Sequence, residues 1–164
     1  MCISICVYTH MLEIKFGGFM EKKIFRNDPC YCIKFRRTAN IITKFYDQAF
    51  LSLNLTTTQF SLLNGIFFLK KCNKSQLALH AHLDRTTIIR SINLLLEKGL
   101  VQEISTETRR NKVILLTEKG ENIRIKGMLV WEQLQKKIKS TIGKEKLTLL
   151  KEIFATIESF ELQL

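Results

Sequence analysis

Residues 75–117, S-Q-L-A-L-H-A-H-L-D-R-T-T-I-I-R-S-I-N-L-L-L-E-K-G-L-V-Q-E-I-S-T-E-T-R-R-N-K-V-I-L-L-T, restrict the fold more than any other stretch. Their periodicity predicts a short helix, a tight turn, a second helix and a β-hairpin. Leu77, Ala78, Ala81 and Leu83 give the first helix a small apolar face. Asp84 is suited to cap the second, because its carboxylate accepts from the unpaired backbone N–H groups of a first helical turn. Ile88, Ile89, Ile92, Leu95 and Leu96 then recur at helical spacing, and Gly99 follows as a stop. The strands are predicted over Leu100–Ile104 and Lys112–Leu116.

The opposite face of the second helix carries Arg85, Thr86, Thr87, Arg90 and Asn93. These side chains match phosphates and base edges, and they gather in the N-terminal half. A helix-turn-helix presents that half of its second helix to the major groove. Arg109 and Arg110 sit at the predicted hairpin tip, within reach of a neighbouring groove or its backbone. An ordinary helical hairpin with solvated polar residues is the competing reading. Cations on both the helix face and the hairpin tip favour duplex DNA.

The runs D-R-T-T-I-I-R-S-I-N-L-L-L-E-K-G-L-V and R-R-N-K-V-I-L-L-T-E-K-G resemble the winged-helix core of the multiple antibiotic resistance regulator (MarR) family. L-N-L-T-T-T-Q-F-S-L-L at 53–63 resembles the helix entering that core, and the resemblance extends from Asp28 to the end of the sequence. The fold it implies is mainly α with a small β-hairpin (α+β). It is a winged helix-turn-helix at about 56–117, with dimerisation helices at about 29–53 and 118–162, in one domain over 29–164.

A chain of 164 residues is long enough for one proper core, and 46% apolar residues is ordinary for a globular protein. The net charge of +11 calls for a polyanionic partner. Charge alone would also suit RNA or an anionic membrane surface; its concentration on a helix-turn-helix selects duplex DNA.

Residues 1–19 read differently from the rest. They lack the basic start of a secretory signal, and His10, Glu13 and Lys15 interrupt a run too short to span a membrane. We read them as a non-native extension, with translation starting at Met20. Gly17-Gly18 then reflects purine-rich codons of a ribosome-binding site. The stretch holds one cation, Lys15, and one anion, Glu13, so the net charge of +11 does not depend on it.

Residues 20–28 are a basic lead-in, and Asp28-Pro29 forms a helix start that should run to about Leu53. Phe35, Ala39, Ile42, Phe45/Tyr46 and Ala49 fall on one stripe, while Ile33, Ile41 and Phe50 widen the apolar surface enough for two packing partners. Thr56 and Gln59 have capping-box spacing, placing the next helix at about Thr57, with Phe60, Leu63, Ile66 or Phe67 and Leu69 buried. Lys70, Lys71, Asn73 and Lys74 form a basic connector. Lys70, Lys71, Lys74 and the hairpin's Lys112 are candidate phosphate contacts, with a solvated loop as the plainer reading of the connector.

Thr117 should cap a helix reaching about Lys139, with Ile123, Gly127, Trp131, Leu134 and Ile138 as its stripe and Met128, Leu129 and Val130 adding width. Gly143 breaks it. A last helix over about Lys144–Leu162 carries Leu147, Leu150, Ile153/Phe154, Ile157 and Phe160. Two terminal amphipathic helices need a surface to bury against. The resemblance supplies a second copy whose terminal helices intertwine with these; a monomeric helical cap is the alternative. A C2 dimer would set two recognition helices one DNA turn apart, on a near-palindromic operator.

The family's wing carries an Asp-x-Arg pair, and Ser105 and Glu107 stand at those positions here. Of the five cysteines, Cys2, Cys6, Cys30, Cys32 and Cys72, an odd count at irregular spacing indicates a reducing cytoplasm rather than a disulfide framework. Cys30-Tyr31-Cys32 has no second ligand pair, so no metal site is expected. C-I-K-F-R-R-T-A-N-I-I-T-K-F-Y resembles the first helix of the family's hydroperoxide-sensing branch, with Cys32 at the reactive position. A thiol at a helix start near Arg36 is a candidate for oxidation. Arg36 and Thr57 replace that branch's tyrosines, and the other reading makes Cys30 and Cys32 small packing residues.

No phosphate-binding loop, nucleophile elbow, zinc-protease motif or dinucleotide fingerprint occurs, so no enzyme and no cofactor are expected. His80 and His82 read as partly buried or phosphate-side residues. The resemblance implies a bacterial DNA-binding repressor acting as a homodimer and released by a small, often phenolic, ligand bound between the dimer arms and the winged helix. A Cys32 redox sensor on the same fold, or a winged helix used for protein–protein contact, are the alternatives.

Overall fold

The computed structural model describes residues 30–105 and 112–160. The extension, the lead-in, Asp28-Pro29, and the hairpin tip with Glu107, Arg109 and Arg110 lie outside the described residues. Six α-helices and one antiparallel hairpin are described, in the order α1 (Tyr31–Phe50), α2 (Thr57–Leu69), α3 (Lys74–Ala81), α4 (Arg85–Glu97), β1 (Val101–Ser105), β2 (Lys112–Leu116), α5 (Glu118–Ile142) and α6 (Lys144–Glu158).

The chain divides into two units at Ala39/Asn40. Of the first, Cys30–Ala39 is described and forms the start of α1, exposed except at Ile33. The second unit holds the core. There α1 turns inward, with Phe45, Tyr46 and Ala49 partly buried and Phe50 fully so. The helix stops at Phe50 rather than Leu53. Asn54 adopts the left-handed conformation (φ 53°) and donates its N–H to the Leu51 carbonyl at 2.9 Å, which tightens Leu51–Leu53 into a 3-10 turn.

Thr56 opens α2 through the expected capping box: its hydroxyl accepts from Gln59 N–H at 3.2 Å and the Gln59 side chain accepts from Thr56 N–H at 3.3 Å. Phe60, Leu62, Leu63 and Ile66 are buried, whereas Phe67 is exposed. Phe50 and Phe60 stack with ring centroids 4.6 Å apart. Gly127 of α5 lies against that stack, where a Cβ would fall 2.5 Å from the Phe60 ring.

The hairpin pairs Val101 with Leu116 and Ser105 with Lys112. The strand begins at Val101, one residue later than periodicity suggests, and the Leu100 carbonyl just outside it continues the ladder by accepting from Thr117 N–H at 3.1 Å. Cys72 bridges to Ile114 and adds a short third edge. Thr117 caps α5 as expected, accepting from Gly120 N–H at 3.0 Å, and its hydroxyl also donates to the Gly99 carbonyl at 2.8 Å. Lys119 donates to the Lys98 carbonyl at 2.7 Å. The first turn of α5 is therefore stitched to the turn that ends α4.

α5 runs three residues beyond Lys139, to Ile142. Gly143 (φ 86°) ends it, donating its N–H to the Lys139 carbonyl at 3.1 Å. Of the expected α5 stripe, Gly127 and Leu134 are buried while Trp131 and Leu129 are exposed. α6 buries no residue: Leu149, Ile153 and Phe154 are exposed, as is Phe160 just beyond its end.

Candidate DNA interface

The helix-turn-helix is built from the caps outward. Asn73 and Gln76 form a reciprocal capping box on α3, each side-chain oxygen accepting a backbone N–H at 2.9 Å. α3 ends at His82, which takes the left-handed conformation (φ 49°), while Leu83 N–H donates to the Ala78 carbonyl at 3.1 Å and folds Leu83 back on the helix. Leu77 is fully buried beneath this turn.

Asp84 then caps α4. Its carboxylate accepts from Thr87 N–H at 2.9 Å and from the Thr87 hydroxyl at 2.6 Å. Those two bonds hold the Asp84 carboxyl below its ordinary range, so it stays ionised at the positive helix terminus. Ile88, Ile92 and Leu95 anchor the opposite face at zero exposure. Helical spacing thus leaves Arg85, Thr86, Arg90 and Asn93 exposed together, with Thr87 half-buried and its donor committed to Asp84.

Ile89, expected in the core, is 37% exposed and joins the polar face, because it follows Ile88 by about 100° around the axis. His80 and His82, expected partly buried or on the phosphate side, are exposed. His82 is turned out by the left-handed cap, and His80 precedes it in the last turn of α3.

Lys70 and Lys71 are exposed in the connector, Lys70 with a positive φ of 59°. Lys74 and Lys112 converge on one carboxylate. Their ammoniums lie 2.7 Å and 3.1 Å from the two oxygens of Glu103, whose side chain is only 12% exposed. Lys74, then Lys112, hold the Glu103 carboxyl below its ordinary range against the opposing effect of burial. Sequence reading had no access to this bridge, since Glu103 is far from Lys74 in sequence and no local pattern pairs them. Lys98 was missed for the same reason: its ammonium donates to the Asn54 carbonyl at 2.6 Å and to the Gln59 side chain at 3.0 Å, joining the end of α4 to the start of α2.

No protein-family model and no curated protein matches the sequence. Solved structures do. The Mycobacterium tuberculosis transcriptional regulator MosR in complex with DNA is 29% identical, with a TM-score of 0.71 over 82% of this chain and 98% of that one. The Staphylococcus aureus MepR–DNA complex is 17% identical, with a TM-score of 0.72 over 80% and 98%. The organohalide-sensing regulator RdhR, in its ligand-free form, is 18% identical, with a TM-score of 0.76 over 92% and 90%. The chain has the winged-helix fold of the MarR-family DNA-binding regulators.

Two further features of this winged-helix chain bear on partners. Between α2, β2 and the start of α5 lies a groove of ≈ 580 Å³ lined by Ile66, Phe67, Phe68, Leu115 and Leu116, with Glu118 and Glu121 at its edge. The Arg124 guanidinium stacks 3.8 Å from the Phe67 ring centroid and binds Glu121 at 2.6 Å. That bond raises the arginine's pKa and lowers the glutamate's. Second, Cys32 is exposed in the first turn of α1, and Cys30, just before that helix, is exposed as well. Cys72 is buried, and burial pushes its thiol pKa up. Among the described residues no helix is long and apolar enough to cross a membrane, and no His/Cys/Asp/Glu cluster is arranged for a metal.

Proposed function

We propose that the protein is a homodimeric, sequence-specific repressor that binds a near-palindromic operator and is released by a small aromatic or phenolic ligand. The observation that carries DNA recognition is the exposed N-terminal half of α4, where Arg85, Thr86, Arg90 and Asn93 stand together on a helix anchored by a fully buried face. In this reading Arg85, Thr86 and Arg90 read base edges in the major groove, and Arg109 and Arg110 contact the flanking minor groove. Thr87 acts through its acceptor lone pairs, its proton being held by Asp84. Lys70 and Lys71 add phosphate contacts, and Lys74 and Lys112 do so from their shared carboxylate.

The exposed apolar face of α6 supports a second copy as the partner of the terminal helices. The groove beside Phe67 and Phe68 supports the ligand, since it lies where the winged helix meets α5 and offers aromatic edges with Arg124 close by. RdhR was also solved with 2,4-dichlorophenol bound, at 17% identity and a TM-score of 0.76. A ligand there would act by changing how α5 holds the α4–β1 turn, and with it the spacing of the two recognition helices.

Selection of binding sites from a random duplex pool, at near-physiological salt and under reductant, tests this. Enrichment of a near-palindrome with half-sites about one helical turn apart is expected. Recovery of no sequence from a monodisperse dimer would contradict the reading and favour a winged helix used for protein contact.

A further inference from the structure

We propose that Ile89 reads the 5-methyl group of a thymine in the major groove and so helps set the operator sequence, an inference that rests on the DNA-binding reading above. Ile88 and Ile92 are fully buried, but Ile89 is 37% exposed. It lies one turn after Arg85 and Thr86, beside Arg90, and one turn before Asn93, all of them exposed. A single exposed aliphatic side chain is ordinary on a protein surface. One set among hydrogen-bonding groups, on the half of a recognition helix that enters the groove, meets base edges instead of water alone.

Base edges in the major groove present hydrogen-bond donors and acceptors and one apolar feature, the thymine methyl group. Arginine, threonine and asparagine match the polar features, and a branched aliphatic matches the methyl. Cytosine, which lacks the methyl and presents an amino donor, would have that donor desolvated against Ile89 without a partner. The side chain is also prepared for a shape contact. Isoleucine keeps essentially one χ1 rotamer in a helix, so little freedom is lost on docking. The turn that carries it is fixed by the Asp84 bonds to Thr87 at 2.9 Å and 2.6 Å.

Thymine-to-deoxyuridine replacement removes the methyl and leaves the polar edge intact, which makes it the direct test. With the full chain and the duplex it selects, each thymine is replaced in turn. Burying one methyl group is worth about a fourfold change in affinity. The expected result is a three- to fivefold loss at one position of each half-site, and about 15-fold when both are replaced. Ile89→Ala should bind the thymine and uracil duplexes equally, and Ile89→Val should keep part of the preference, which separates Ile89 from the neighbouring Thr86 methyl. Sequence-specific binding with no uracil-sensitive position, or an unchanged uracil effect in Ile89→Ala, would overturn the inference alone. Absence of any sequence preference in the parent protein would overturn the DNA-recognition reading and this inference with it.

Discussion

Gly120 sits where the first turn of α5 meets the winged helix, and replacing it with alanine should damage that junction. A Cβ at this position would lie 1.9 Å from the Leu100 carbonyl oxygen and 2.8 Å from its carbon. Both are backbone atoms, so no side chain can swing aside. The first turn of α5 must retreat by about 1.5 Å to restore ordinary contact, a shift of the overpacking kind. Two bonds stretch with it: Thr117 N–H to the Leu100 carbonyl and the Thr117 hydroxyl to the Gly99 carbonyl. Overpacking and the strained bonds together cost about 2–4 kcal/mol. Alanine returns about 1 kcal/mol through helix propensity. The net loss should be about 1–3 kcal/mol, lowering Tm by roughly 3–9 °C in a chain of this size. Thermal unfolding followed by circular dichroism measures it. Gly99→Ala is the control: φ is 66° with nothing within 4 Å, so only left-handed backbone strain of about 1–2 kcal/mol applies. A Gly120→Ala protein as stable as its parent would refute the reasoning.

Other outcomes follow from the same structure. Arg90→Ala should weaken operator binding by about 1–3 kcal/mol per half-site and relax preference at one base position of each, whereas Lys71→Ala should weaken all sequences alike and reduce the salt slope by about 1.8, two contacts per dimer; titrations at several salt concentrations separate the two. Phe154→Asp puts a charge into the exposed apolar face of α6 twice per C2 dimer and should weaken self-association more than tenfold, read by sedimentation. The Glu103 carboxyl lies below its ordinary value of 4.5 in the folded chain, so its contribution to stability is complete above about pH 4.5 and disappears as pH falls further. Tm should therefore drop in acid, and less steeply in Glu103→Gln; identical acid profiles would contradict the bridge. Under reductant Cys32→Ser should bind DNA as the parent does, and a peroxide response present in the parent but lost in this variant would assign a sensor thiol.

Local chemistry was legible in the sequence. Thr56 with Gln59, Asp84 and Thr117 all cap the helices their spacing indicates, and Gly99 and Gly143 end theirs, because a cap depends on residues three or four apart. The Asn73–Gln76 box follows the same rule but was hidden in a run that looked simply basic. Ile89 was misplaced because a stripe drawn from hydrophobicity cannot tell a core residue from an aliphatic at its rim. Nonlocal features stayed out of reach. Glu103 gathers Lys74 and Lys112, Lys98 ties Asn54 to Gln59, and Gly120 is demanded by a carbonyl twenty residues earlier in the chain; each depends on how the chain returns to itself. The wide apolar stripes of α1 and α6 were legible as stripes, and α6 buries none of its own within the described residues.

The most direct measurement of the central claim is equilibrium binding to the selected operator and to the same duplex with its half-sites moved apart by about half a helical turn, roughly five base pairs. Two α4 helices held on one face of the DNA by a symmetric dimer cannot both reach the displaced half-sites. The account predicts that affinity for the altered duplex falls to that of an unrelated sequence. Equal affinity for both duplexes would contradict recognition by a dimer with paired α4 helices.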